Sequence, residues 1–589
     1  MLPRISYSST QRILICSCLV RLIQTPACSI VVFPVKLLLV RIWSMFRNKS
    51  VSTHQFAMIP RADIPRSSFV IEKAHKTTFD SGWLIPVYVD EVLPGDSFSV
   101  SMTAFARLAT PLYPIMDNMT LESFFFFVPC RLLWDKWRNF MGQQDYPAQG
   151  TDYLVPVCPT PAGGWPVNSI GDYFGLPTVG QVNPGQAVNF NVLPLRAYNL
   201  IWDEWFRDEN LQPSTEPHYT SEGPDDPAYY TLLRRGKRKD YFTACLPWTQ
   251  KGPSVQVPLG TTAPVIGAGA YPLNRPTFDV TSGPSAQYLE SGQADWPSLF
   301  VGPSVTGPTL ASASLSWGAQ TGLVADLSAA TAATVNQIRQ SFQIQKLLER
   351  DARGGTRYTE LVRSHFGVIS PDARQQRPEY IGGGSTPVNI SPVAQTSGTP
   401  GAGGYTNTPQ GNLAAIGTAL AHGHSFKYSA TEHGYIIGLV NVRADLNYQQ
   451  GLRKMWSRRT KYDFYFPVFA ALGEQAVLNK EIFCAGDAND DLVFGYQERW
   501  AEYRYNPSLI TGLFRSTAAG TLDGWHLAQN FANLPTLNGT FIEERPPVDR
   551  ILAVGSEANG QQFLFDSFWH IKAARPMPMY SVPGLVDHF

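Results

Sequence analysis

Ser123-Phe124-Phe125-Phe126-Phe127-Val128 is the stretch on which the fold of this chain turns. Successive side chains of a strand point to opposite sides, so an unbroken apolar run cannot leave one side to water. It requires cover on both faces, from a second layer of sheet or from a neighbouring subunit. Outward from it the pattern stays strand-like. Upstream, Trp83 to Val89 is followed by a Leu93-Pro94-Gly95-Asp96 turn and by Phe98, Val100 and Met102 alternating with Ser and Thr. In the C-terminal third, Tyr435 to Val442, Tyr462 to Phe469 and Phe563 to Ile571 are the strongest strand candidates. Helical spacing is confined to Leu132 to Met141, Arg196 to Leu211 (stripe Ala197, Ile201, Trp205), Val335 to Arg353 (stripe Val335, Ile338, Phe342, closed by Gly354-Gly355), and a turn or two in Tyr358 to Phe366. These are too few and too scattered for an alternating α/β fold. The expected class is all-β dominated, a β-sandwich with long loop insertions and a few short helices.

Composition agrees. Only 16% of the 589 residues are charged, against roughly 25% in an average soluble domain, while Gly 48 and Pro 46 supply an excess of turn residues. Little charged surface and many ordered loops describe a protein that buries much of itself against its own copies. Lys+Arg 47 balances Asp+Glu 47, which argues against a free-standing nucleic-acid binder, and 12% aromatic residues argue against a disordered acidic tail. Seven cysteines (16, 18, 28, 130, 158, 245, 484) form no CxxC pair, so reduced thiols are expected. No window supplies the roughly 18 apolar residues of a membrane span, and no membrane partner is expected.

The zero charge averages unlike parts. Residues 1–44 carry five cations and no acid, so a chain counted from Met45 has 42 basic against 47 acidic groups, a net of −5. Residues 1–44 are expected to be an upstream extension outside the mature fold. Residues 45–66 then form a basic arm, with Pro60 and Pro65 opposing helix. Residues 67–252 and 336–589 are expected to make the β domain. Between them, 253–335 holds only five charged residues and is expected to be an ordered surface excursion, and 382–412 is a charge-free loop.

No catalytic motif emerges: no Walker loop, dinucleotide fingerprint, GxSxG elbow or HExxH is present. His422-Gly423-His424 with Glu432-His433 is the one candidate metal constellation, because His422 and His424 of a regular strand share a face. The cupin-like pattern places its Glu closer, so no metal and no cofactor are expected. A cupin-like metal-dependent enzyme and a carbohydrate-binding β-sandwich stand as alternatives. Two basic clusters remain: Arg234, Arg235, Lys237, Arg238 and Lys239, and Arg453, Lys454, Arg458, Arg459 and Lys461 with Trp456 and Tyr462 interleaved. Such cations hold phosphate backbones, and rings between them stack on unpaired bases.

At greater length the resemblance becomes specific. The stretches IPRSSF (64–69), KTTFDSGWLIPVYVDEVLPGD (76–96), MTAFARLATPLYPIMDNM (102–119), SFFFFVPCRLLWDKW (123–137), RAYNLIWDEWFRDENLQ (196–212), RRGKRKDYFTACLPWTQKG (234–252), RGGTRYTELVRSHFGVISPDAR (353–374) and VPGLVDHF (582–589) closely resemble the major capsid proteins of gokushoviruses, small single-stranded DNA phages of the Microviridae. The resemblance runs from about Met45 to Phe589. It implies a viral jelly roll, assembled as pentamers into a T=1 icosahedral shell, with no active site. It also implies a variable insertion at the threefold axes, for which 253–335 is the candidate, used in host attachment. The implied partners are further copies of the chain, the single-stranded DNA genome, a small internal scaffolding or DNA-binding protein, a pilot protein and a bacterial surface receptor. The implied location is the virion, with assembly in the host cytoplasm. Candidate DNA-facing residues are Arg61, Arg66, Arg234, Arg235, Lys237, Arg238 and Lys239.

Overall fold

The computed structural model describes residues 65–580 apart from 148, 151, 216–219, 256–264, 268–277, 281–288, 292–298, 302–314, 318–322, 326–334, 370–375, 399, 402–408 and 554–560. All elements below belong to the compact unit from Arg66 to Phe589. The expected extension 1–44, and the expected arm 45–66 up to residue 64 with Arg61, lie outside the described residues.

Nine strands form one antiparallel sheet. They are β1 (Ser67–Phe79), β2 (Ile85–Val92), β3 (Ser97–Leu108), β4 (Met119–Pro129), β5 (Glu379–Pro387), β6 (Asn389–Ala394), β7 (Leu413–Ser429), β8 (Gly434–Ala444) and β9 (Phe563–Arg575). Eight follow the order β1-β9-β3-β7-β5-β4-β8-β2, and β6 pairs with β7. β2 ends this path and β9 is second at its other end, yet the Tyr88 ring on β2 lies 4.9 Å from Trp569 on β9. Phe125 on β4 also reaches Trp569, at 5.9 Å. Strands so far apart in hydrogen-bonding order meet only if the sheet curls over on itself, almost into a barrel, as in a jelly roll. The two facing layers are parts of one continuous ladder.

The phenylalanine run sits where both faces are covered. Phe125 and Phe127 join the enclosed core with Met102, Phe426, Val440 and Trp569. Phe126 and Val128 point the other way, into a second core with Trp134, Tyr198 and Ile201, and Phe124 is partly buried beside them. Its neighbour β8 is buried at every position, with its apolar side chains divided between the two cores. Space for the rings comes from Gly438, opposite Phe125, where a Cβ would stand 2.9 Å from that ring. β3 and β9 bury only alternate residues, the ordinary one-face pattern.

The second core is roofed by α1 (Leu193–Ile201), which continues through a π-helical turn, Trp202–Phe206, and gives way to extended chain at Arg207. The expected helix through Leu211 is therefore shorter. The stripe Ala197, Ile201 and Trp205 does face the sheet. Leu132 to Met141 is two separate turns, Cys130–Leu133 and Trp137–Phe140. α2 (Val335–Arg353) and α3 (Tyr358–Phe366) occupy their expected spans, with Gly355 at φ +95° making the corner after α2. The stripe expected to bury α2 does not: Val335 and Phe342 are exposed.

Two other expectations change. The 382–412 loop is partly sheet, because β5 and β6 account for residues through Ala394. Tyr462 to Phe469 is not a strand but two 3-10 turns, Lys461–Asp463 and Pro467–Phe469. The Asp463 carboxylate accepts the amides of Arg459 at 2.9 Å and Thr460 at 2.7 Å, and Pro467 brings no donor for a ladder. Within 253–335 the described residues form three nested antiparallel ladders, Val265–Gly267 with Leu323–Ala325, Phe278–Val280 with Leu315–Trp317, and Leu289–Ser291 with Leu299–Val301. Between β8 and β9, 3-10 turns and the ladder Glu474–Leu478 with Val493–Glu498 enclose a third core around Phe242, Phe494 and Phe541.

Candidate functional surface

The 234–239 cluster is split by its own backbone. Bridges pair Arg234 with Trp83 and Gly236 with Glu543, holding the segment extended so that neighbouring side chains diverge. Arg234 lies over the Trp83 ring at 3.9 Å and donates to the Glu544 carbonyl at 3.1 Å. Burial, with Arg545 nearby, pulls it down to about 10. Arg235 pairs with Glu122 and stacks at 4.9 Å on Phe124. Lys237 is 9% exposed, with its ammonium 4.3 Å from the Phe541 ring. Arg238 and Lys239 are exposed and pair with Asp445 and Asp208. Arg66 is exposed and donates to Ser97 Oγ at 2.8 Å. The six described candidates therefore do not make one uniform basic face.

The second basic cluster builds something different. Arg458 pairs with Glu502 at 3.0 Å and stacks at 4.2 Å on Tyr503. Lys454 pairs with Glu481 at 3.3 Å, and Arg453 donates to Asn506 at 2.7 Å. Arg459 and Lys461 stay exposed, and among them lies a run of open apolar side chains: Trp456 is 69% exposed, Tyr462 68% and Val468 88%, with Phe464, Tyr465 and Phe466 beside them. A soluble subunit rarely leaves such a ledge open unless another surface covers it. Phe342, Leu347, Tyr358 and Phe366 on α2 and α3 extend the same character to a second place.

The histidine pair is separated by a bulge. The β7–β3 register shifts between Ala421 and His424, where Gly423 has φ +76°. His422 faces solvent, whereas His424 is buried between the hydroxyls of Ser123 at 2.8 Å and Thr386 at 2.9 Å. Two imidazoles on one face, the geometry a shared metal needs, is not formed. Cys130, Cys158 and Cys245 are free and buried, with their thiols pushed up to about 12 chiefly by burial.

A polar lock that the sequence did not advertise holds α1 to the loop below it. Arg196 grips Asp225 through Nε at 2.8 Å and Nη2 at 2.7 Å, and the Tyr230 hydroxyl donates to the same carboxylate at 2.6 Å. Charged residues this deeply buried are kept only when paired. The available signal, an arginine inside an apolar helical stripe, names no partner.

A barrel-like sandwich with a doubly covered phenylalanine strand, long loops and open aromatic ledges is the architecture of a subunit made for its own copies. The family model for the capsid protein also called the F protein matches residues 57–585. The chain is 45% identical over 549 residues to capsid protein VP1 of Bdellovibrio phage phiMH2K, covering 91% of this chain and 98% of that protein. It is 44% identical over 604 residues to capsid protein VP1 of Chlamydia phage 1, with coverage of 91% and 98%. Against capsid protein VP1 of Spiroplasma virus 4 the identity is 36% over 553 residues, with coverage of 90% and 97%. The chain therefore belongs to the Microviridae capsid protein family, alongside the gokushovirus coat proteins, and is the major structural subunit of a phage virion.

Proposed function

We propose that copies of this chain associate as pentamers and close into a T=1 icosahedral shell around a circular single-stranded DNA genome. The observation that carries this is the aromatic ledge at 455–469. Rings exposed on the subunit beside cations of which Lys454 and Arg458 already meet carboxylates are suited to burial against another protein surface, where aromatic residues dominate the contact energy. Summed over many equivalent copies, modest contacts hold a closed shell. The 253–335 excursion, with its nested ladders, is the segment that carries surface protrusions and meets the bacterial receptor. Arg61, Arg66 and the 234–239 segment meet packaged DNA, assisted by a small internal scaffolding or DNA-binding protein. A pilot protein completes the particle.

The test is electron microscopy of the full chain expressed alone and with the phage's other structural proteins. Uniform small icosahedral particles, or pentamers that convert to them in the second arm, are expected. A protein that stays monomeric in both arms would overturn the proposal. Deleting 256–334 is expected to leave assembly intact while abolishing adsorption to host cells, and adsorption that survives the deletion would remove the receptor role.

A further inference from the structure

A cleft of about 1000 Å³ opens between the outer face of β4, the Trp202–Phe206 turn, the 235–239 segment and the α2–α3 corner. Its volume is at the upper end of the roughly 300–1000 Å³ that ligand sites occupy. One wall is aromatic. Tyr380, 44% exposed, stands with its ring centroid 5.5 Å from Phe126 and 6.2 Å from Trp205. The remaining lining is densely cationic, and most of those charges already have carboxylates: Arg207 has Asp203, Arg235 has Glu122, Lys239 has Asp208, Arg353 has Glu474, and Arg357 has Glu209 and Glu360.

Two lining cations do not. Arg363, exposed on α3, makes no ion pair and no side-chain hydrogen bond among the described residues. Lys237 is more telling. It is nine-tenths buried, its ammonium carries three donors, and among the described residues none of them reaches an acceptor and no carboxylate lies within 4 Å. Asp240 and Glu544 act on it only at longer range, and Arg545 opposes them. Lys237 is held largely out of water with only the Phe541 ring facing its ammonium, and an oxyanion entering the cleft would give it the acceptor it lacks. The paired arginines prevent general repulsion inside the cleft while the two unanswered cations select negative charge.

We propose that this cleft binds a nucleotide unit of single-stranded DNA, with a backbone phosphate between Lys237 and Arg363 and a base against the Tyr380 wall. The proposal rests on the reading of the chain as a shell around DNA, and it gives the 234–239 segment a defined place to meet that genome. Cations that track a backbone beside rings that stack bases are the combination that retains single strands without sequence preference. The same chemistry would admit a free nucleotide, so the two sources need separate arms.

The experiment titrates the purified full chain with a fluorescent oligodeoxythymidylate of roughly eight nucleotides, and separately uses thymidine monophosphate and inorganic phosphate as competitors. Lys237→Met keeps the apolar stem and removes the charge; Arg363→Glu reverses the exposed one. Each is expected to weaken oligonucleotide binding by roughly tenfold and to lower the salt slope by about one, whereas Lys427→Glu, exposed on β7 outside the cleft, leaves both unchanged. Tyr380→Ala is expected to weaken oligonucleotide binding but not competition by inorganic phosphate. Unchanged affinity in a folded Lys237→Met protein overturns the site, as does equal loss in Lys427→Glu. If the free mononucleotide binds as tightly as the strand, the cleft is a nucleotide site and the DNA assignment fails. If the variants bind DNA normally but no longer assemble, the cleft is a protein contact. Shells that form and package DNA while every cleft variant binds normally would sink this inference alone, and no shells in any arm would sink the capsid reading instead.

Discussion

β4 and the 455–469 ledge are both rich in aromatic rings, and they use them in opposite ways. In β4, Phe125, Phe126 and Phe127 are all essentially buried, divided between two cores by the alternation of a strand. In the ledge, Trp456, Tyr462, Phe464, Tyr465 and Phe466 are all exposed. Both are rich in rings, but the ledge also carries Arg458, Arg459, Lys461 and Asp463 where β4 has the single charge of Glu122, so composition and neighbours together set the difference. β4 is flanked by β5 and β8, which lock its backbone and present matching apolar faces. The ledge has no ladder partner, and Asp463 and Pro467 turn its chain instead. One segment completes its burial within the subunit; the other leaves burial to whatever docks on it.

That contrast can be broken by mutation. Phe125→Ala is expected to cost about 3–5 kcal/mol of subunit stability, the usual range for emptying a buried phenylalanine site, measured as a lowered urea midpoint of the dissociated subunit. A loss below about 1 kcal/mol would mean that the enclosed core is not where folding energy resides.

The next effect sharpens the boundary between inside and outside. Burial lowers the Lys237 ammonium to about 8, with Asp240 and Glu544 opposing the shift and Arg545 reinforcing it. Between that value and the ordinary 10.5 the unfolded chain keeps a proton that the native one has released. Stability is therefore expected to rise with pH across this window, by up to about 3 kcal/mol, and Lys237→Met to abolish the rise. Denaturant unfolding of both proteins at pH 7 and pH 10 checks the sign, and a native-state stability that falls more steeply than that of Lys237→Met would contradict it.

The ledge should give the smallest effect on folding. Trp456→Ala and Tyr462→Ala are each expected to change subunit stability by no more than about 0.5 kcal/mol while weakening association by about 2 kcal/mol per residue at an interface centre. Melting and sedimentation measured on the same samples separate the two quantities. If the melting temperature drops as for Phe125→Ala, the ledge is part of the fold and not a contact surface.

Much of the sheet was legible beforehand because its strands carry local signals. β3 and β9 alternate, β4 and β8 each carry a continuous apolar run (Phe124–Val128 and Tyr435–Val440), and the reading of 123–128 as needing two covers is met by the two cores. α2 and α3 were legible in extent but not in burial, since a helical stripe shows periodicity without saying what lies opposite. Tyr462 to Phe469 misled for a related reason: β-favouring rings make a strand only when another strand supplies hydrogen-bond partners. The five clustered cations were visible as residues, but whether each meets a carboxylate, a ring or an open cleft depends on segments hundreds of positions away, as with Arg235 and Glu122 or Arg234 and Glu544.

By itself, the sequence determined the β class, the family and the places where apolar residues are too dense to face water, because propensity and periodicity act over a few neighbouring residues. Only the tertiary structure decided the order of the strands, which aromatic rings stay uncovered, and that, among the described residues, Lys237 and Arg363 meet no carboxylate at a shared cleft. Those outcomes depend on which distant segments come together, and pairing over long separations is fixed by the whole packing of the chain rather than by any local pattern.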